Sequence, residues 1–198
     1  GSYLCGSDGS QHAALWQQGK RQDLGTLGGK NSFATAINAG AQVAGYAALP
    51  DSRPHAFLWQ NGNMQDLGTL GGPNSWARAL NDRGLVVGAA DTADGATRAF
   101  VYVRGKMRDL GTLGGTESAA WSLNDQGQIV GESETRAGEM HAFLYSDAGM
   151  IDLNRQIPRL PDWTLVTATE IDNRGYIRGV GLMRGIQHRF LLTPLSGA

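Results

Sequence analysis

Asp66-Leu67-Gly68-Thr69-Leu70-Gly71-Gly72 is one of three identical heptapeptides in the chain; the others begin at Asp23 and Asp109, so successive copies lie 43 residues apart. Asp152-Leu153-Asn154 stands one further interval along and keeps only the first two residues of the motif. Self-similarity at a fixed spacing is the signature of a repeat architecture, in which each unit buries its apolar surface against the next.

Two other markers keep the same period. His12, His55, Arg98 and His141 each precede an alanine and an apolar run, and His188-Arg189-Phe190-Leu191-Leu192 repeats the pattern once more. Asn38, Asn81, Asn124 and Asp172 each close an apolar segment just before a turn. The last Asn-type interval is 48 residues, which places a short insertion around Pro158 to Trp163.

Within a period the turn signals separate four short strands. In the best-defined unit these are Trp76 to Leu80, Leu85 to Ala90, Ala99 to Val103 and Met107 to Leu110. Asn81-Asp82-Arg83-Gly84 joins the first two, and Gly105 turns the third into the fourth. The preceding unit has Asn61-Gly62 at the last turn, a strong hairpin dipeptide. Four strands in about 43 residues is the size of a propeller blade. A β-solenoid competes, but its coils are usually shorter and lack this hairpin chemistry. The expected fold is therefore all-β, a single five-bladed β-propeller over residues 1–198, with units near 3–31, 32–74, 75–117, 118–165 and 166–195. The phase gives eighteen strands. The first blade lacks its inner strand and the last its outer one, and such open edges invite homo-oligomerisation.

Composition agrees with this reading. The chain has 198 residues, 29 of them glycine, and its longest stretch free of glycine and proline is the 13 residues from Asp162 to Arg174. Long helices are disfavoured, because each interior glycine costs a helix about 1 kcal/mol and each proline more. A net charge of −1 and only three lysines, with no basic cluster in the sequence, argue against a nucleic-acid partner. No apolar run reaches the length of a membrane span. The single cysteine, Cys5, cannot close a disulfide within the chain and reads as a buried apolar residue.

His55-Ala56-Phe57-Leu58-Trp59, Asp66 to Gly72, and Leu80-Asn81-Asp82-Arg83-Gly84-Leu85-Val86-Val87-Gly88 together resemble the HAF-repeat family of bacterial repeat proteins. The resemblance covers nearly the whole chain. It implies export, to an extracellular or periplasmic location, and no particular reaction. Arg98 in place of the histidine, the truncated motif at Asp152 and Asp172 in place of the asparagine depart from the pattern.

A residue that recurs in every unit serves folding in every unit, so sites are sought among positions that vary. The repeated histidines, aspartates and turn asparagines read as scaffold, and no metal or cofactor is expected. Near the inner-strand starts the variable positions are Phe33/Trp76/Ala119, Thr35/Arg78/Trp121/Thr169 and Asn31/Asn74/Glu117. Aromatic faces stack on sugar rings and a guanidinium holds an anion. Phe33, Trp76, Arg78, Glu117 and Trp121 are therefore candidate ligand residues, joined by Trp163 in the insertion. The expectation is a secreted binding or scaffold module for a glycan or another cell-envelope ligand. A hydrolase is the competing reading, with Glu117 and Glu170 as its carboxylates and Arg78 as an anion clamp, provided the carboxyl groups lie ~5–9.5 Å apart. A purely structural repeat segment of a larger protein is the third.

Overall fold

In the computed structural model, residues 1–5, 9–157 and 162–194 are described. Apart from one 3-10 turn, the described residues are all β, with eighteen strands in five antiparallel sheets that follow one another in chain order. Sheet one comprises β1 (Ser2–Cys5), β2 (Ser10–Gln17) and β3 (Lys20–Asp23). Sheet two comprises β4 (Ser32–Ile37), β5 (Val43–Ala48), β6 (Pro54–Gln60) and β7 (Asn63–Asp66). Sheet three has β8 (Gly71–Leu80), β9 (Val86–Thr92), β10 (Thr97–Val103) and β11 (Lys106–Asp109). Sheet four has β12 (Gly114–Leu123), β13 (Ile129–Thr135), β14 (Met140–Ser146) and β15 (Gly149–Asp152). Sheet five has β16 (Trp163–Ile171), β17 (Ile177–Met183) and β18 (Ile186–Leu192). The strand count and the three-strand first and last sheets follow the phase of the repeat.

The leading strands of sheets three and four start earlier than turn chemistry indicates. Gly71 and Gly114 already belong to β8 and β12, because Leu70 and Leu113 form parallel bridges to Thr92 and Thr135. The end of the glycine-rich connector is thus part of the next strand. Gly71 has φ 104°, a conformation open to glycine and costly for other residues.

Four apolar clusters hold the sheets, each spanning two successive sheets. Phe57, Phe100 and Phe143, on the third strand of sheets two to four, are fully buried. The first leucine of each connector is buried as well: Leu24, Leu67, Leu110 and Leu153 are 3–7% exposed. The second leucines, Leu27, Leu70 and Leu113, pack against the clusters while partly buried. Where sheet one lacks a leading strand, Ile37 is 56% exposed, whereas its counterparts Leu123 and Ile171 are 8% and 5% exposed.

The connectors are fastened by a serine at the start of the leading strands. Ser75 Oγ accepts from the Ala56 amide and donates to the Gly68 carbonyl, so one buried hydroxyl ties sheet two to sheet three. Ser32 and Ser118 repeat this. Sheet five has Val166 at that position, and there Asn154 makes both bonds to the Leu165 backbone instead. The degenerate connector Asp152-Leu153-Asn154 therefore carries its own solution: a single 3-10 turn capped by Asp152, then an amide clamp.

The insertion from Pro158 lies largely outside the described residues, as does the side chain of Cys5. No helix among the described residues is long and apolar enough to cross a membrane.

Candidate functional site

The leading strands β4, β8, β12 and β16 share one irregularity. Each pairing with the following strand skips a residue, between Ala34 and Ala36, Ala77 and Ala79, Ala120 and Ser122, and Ala168 and Glu170. The skipped residues are Thr35, Arg78, Trp121 and Thr169, one of the three variable sets singled out from the sequence. A β-bulge leaves one residue out of the ladder and re-aims its side chain. The cause is local. Gly45, Gly88, Gly131 and Gly179 pair with the alanine before each bulge. A Cβ at these glycines would stand only 1.9–2.1 Å from a carbonyl oxygen of the leading strand.

The bulge residues lie on leading strands that neighbour one another. Thr35 Oγ1 donates to the Ala77 carbonyl of the next sheet at 3.0 Å. The Arg78 guanidinium carbon lies 3.7 Å from the centre of the Trp121 ring, a cation–π contact between sheets three and four. Arg78 Nε and Trp121 Nε1 are buried and find no acceptor among the described residues. Burial pushes the Arg78 guanidinium below its ordinary value, opposed by the Glu132 carboxylate. Trp121 also lines a groove of about 350 Å³ with Glu132, Thr167, Thr169, Val180 and Leu182. Thr167 Oγ1 donates to Glu132 Oε2, which fixes one oxygen of that carboxylate at the groove.

No protein-family model matches the chain, and no curated protein matches it.

The other candidate residues have contacts of their own. Trp163 packs on the cluster between sheets four and five, with its ring 5.7 Å from His188. It begins β16 and is partly buried there. Phe33 stacks on Tyr46 at 5.1 Å. Trp76 is half-buried opposite Ala89. Glu117 Oε2 accepts from the Thr97 amide of the preceding sheet at 3.0 Å, just as Asn31 Oδ1 accepts from the Gln11 amide. That position is an inter-sheet fastener. Sheet two begins its third strand with Pro54, which has no N–H, and there Asn74 turns to Asp91 instead.

Glu117 and Glu170, the two carboxylates of the hydrolase reading, have separate partners. Glu117 stands near the start of β12, and Glu170 near the end of β16, where it binds Arg178 at 3.1 Å. Glu132, missed in the sequence, is the acid that does reach the Arg78–Trp121 pair. Its counterparts Tyr46, Ala89 and Val180 differ in every sheet, and that variability marks it in the same way.

The repeated histidines are fasteners. His55 Nδ1 contacts both oxygens of Asp66 at 2.9 Å, and Asp66 Oδ1 accepts from the Gly68 amide. His12 Nδ1 likewise contacts both oxygens of Asp23, whereas His141 Nδ1 contacts only Oδ2 of Asp152, at 2.9 Å. Arg98 reaches Asp109 only at 3.8 Å and leaves its buried Nε without a partner. Among the described residues no three metal-ligating side chains converge.

Proposed function

We propose that the chain is a five-bladed β-propeller of the HAF-repeat type, exported from a bacterial cell, that binds a glycan or related cell-envelope ligand at its inner strands. The propeller reading is supported by five successive sheets whose leading strands neighbour one another, β4 with β8, β8 with β12 and β12 with β16. The binding reading rests on one observation: Arg78 over Trp121, with two buried N–H donors unpartnered beside a groove that Glu132 borders. Buried donors without acceptors are costly, and a ligand oxygen would satisfy them. An aromatic ring beside a cation and hydroxyls suits a sugar carrying an acidic group.

Thermal shift against neutral and uronic-acid oligosaccharides tests this, since a ligand that binds only the folded state raises its stability. The expected outcome is stabilisation by an acidic oligosaccharide that disappears in Arg78→Met and in Trp121→Ala. Binding that survives both substitutions would move the site elsewhere. No response to any sugar would favour the structural-segment reading.

A further inference from the structure

The sequence shows no basic cluster, yet the fold builds one. Arg83, Arg104 and Arg108 line a single pocket of about 280 Å³, with Gly84, Leu85 and Val103 completing its wall. They come from three segments of sheet three. Arg83 belongs to the turn between β8 and β9, Arg104 to the hairpin tip between β10 and β11, and Arg108 to β11 opposite Val101. In an antiparallel sheet these two turns share one end. The glycine-rich connectors leave from the opposite end.

We propose that these three arginines form an oxyanion site that takes a phosphate or sulfate ester group. Three like charges around one small pocket repel each other, and a tetrahedral oxyanion removes that repulsion while accepting from several guanidinium N–H groups. The acids nearby are engaged elsewhere. Asp82 Oδ1 accepts from the Ala39 amide, Asp125 binds the Asp82 amide and the Asn173 side chain, and Asp109 holds the Gly111 amide and faces Arg98. Among the described residues no carboxylate lies within 4.0 Å of any of the three arginines, although such pairing occurs elsewhere on the surface, as between Arg53 and Asp51. Arg83 is tethered through Nη1 to the Asp125 carbonyl at 3.2 Å, which orients it without neutralising it.

Comparison between repeats separates this cluster from scaffold. Arg83 has Gly40, Gln126 and Arg174 as counterparts, Arg104 has Gln18, Asn61 and Asp147, and Arg108 has Gln22, Gln65 and Ile151. Only sheet three carries all three charges, in a chain whose net charge is −1. Folding does not require the three together, because no other sheet carries all of them and the same turns form.

The test is an amide NMR titration with inorganic phosphate, inorganic sulfate, dextran sulfate and neutral dextran, at fixed ionic strength. Saturable shifts confined to residues 83–85 and 103–108 are expected for the anions, with none for neutral dextran. Arg104→Gln and Arg108→Gln should each weaken binding at least fivefold, and Arg136→Gln, an equal change of charge on sheet four, less than twofold. Tighter binding of dextran sulfate than of the free ions would assign the ester to a polymer; equal binding would assign it to a small solute. Shifts spread over all basic residues, equal losses in Arg136→Gln, or no saturation would overturn the site. All three positions are exposed, so the variants should fold, which a circular dichroism melt verifies.

Discussion

The side-chain amide of Asn81 donates to the backbone carbonyl of Asn124, one whole repeat further along, at 3.0 Å. Asn38 does the same to Asn81, and Asn124 to Asp172, each at 3.1 Å. The other end of each side chain stays at home: Asn81 Oδ1 accepts from the Arg83 and Leu85 amides of its own turn. One residue type thus shapes a turn and fastens it to the next sheet. A second line of bonds runs alongside, from the Ala39, Asp82 and Asp125 amides to Asp82, Asp125 and Asn173.

Asn81→Asp keeps the turn-capping oxygen and replaces the donating amide by a second acceptor. Asn81 is 5% exposed, so the Asn124 carbonyl loses its partner in a buried place. The expected loss is about 1–3 kcal/mol in urea denaturation. Asp172 makes no donation onward, so Asp172→Asn should change little. Equal effects of the two substitutions would contradict the ladder's energetic role.

Two glycines separate close approach from backbone conformation. At Gly88 a Cβ would stand 1.9 Å from the Trp76 carbonyl oxygen and 3.0 Å from the Phe100 ring. At Gly62 it would meet nothing within 4 Å, but φ is 83°. Gly88→Ala is expected to cost more than about 4 kcal/mol or to prevent folding. Gly62→Ala should cost about 1–2 kcal/mol, the ordinary strain of a left-handed residue. Denaturation midpoints of the two variants decide it.

Arg98→His should stabilise the protein. The histidine in sheets one, two and four reaches its aspartate at 2.9 Å, whereas Arg98 stands at 3.8 Å and buries an unpartnered Nε. Relief of that group is worth about 1 kcal/mol. A lower melting temperature would show that the arginine makes contacts the histidine cannot replace.

Glu134 offers a pH readout. The Thr116 amide and hydroxyl donate to its carboxylate and hold it below the usual glutamate value, the amide contributing more. A depressed folded value means the contact stabilises above the unfolded value and is lost as pH falls through the folded one. An NMR titration of the Glu134 carboxyl should give a midpoint below that of free glutamate. Thr116→Val, which removes only the hydroxyl, should return it part-way. A full return would assign the effect to the hydroxyl alone.

Much of the architecture was legible because it repeats. The 43-residue spacing of the connectors set the number of sheets, and Asn61-Gly62 set a hairpin whose φ values are 51° and 83°. The scaffold role of His55 was legible too, though its partner proved to be Asp66, eleven residues away across a strand pair. Ser75 was not legible, since a serine at a strand start has no unusual pattern. The contacts of Glu117 and Trp163 were not legible for a related reason: variability between repeats marks both ligand contacts and fasteners that adapt to local neighbours, such as the missing N–H of Pro54.

The sequence by itself determined the strands, their order and the equivalence of positions, because hydrophobic alternation, turn residues and the repeat are local properties of the chain. Only the tertiary structure decided which of the unequal positions meet. Arg78 and Trp121 are 43 residues apart, and Arg83 and Arg108 are 25 apart. The bulge at Arg78 and the shared turn end of sheet three bring them together. Bulge direction and turn alignment arise from the pairing of whole strands, where a glycine on one strand admits the carbonyl of another. No single stretch of sequence contains both halves of such a contact.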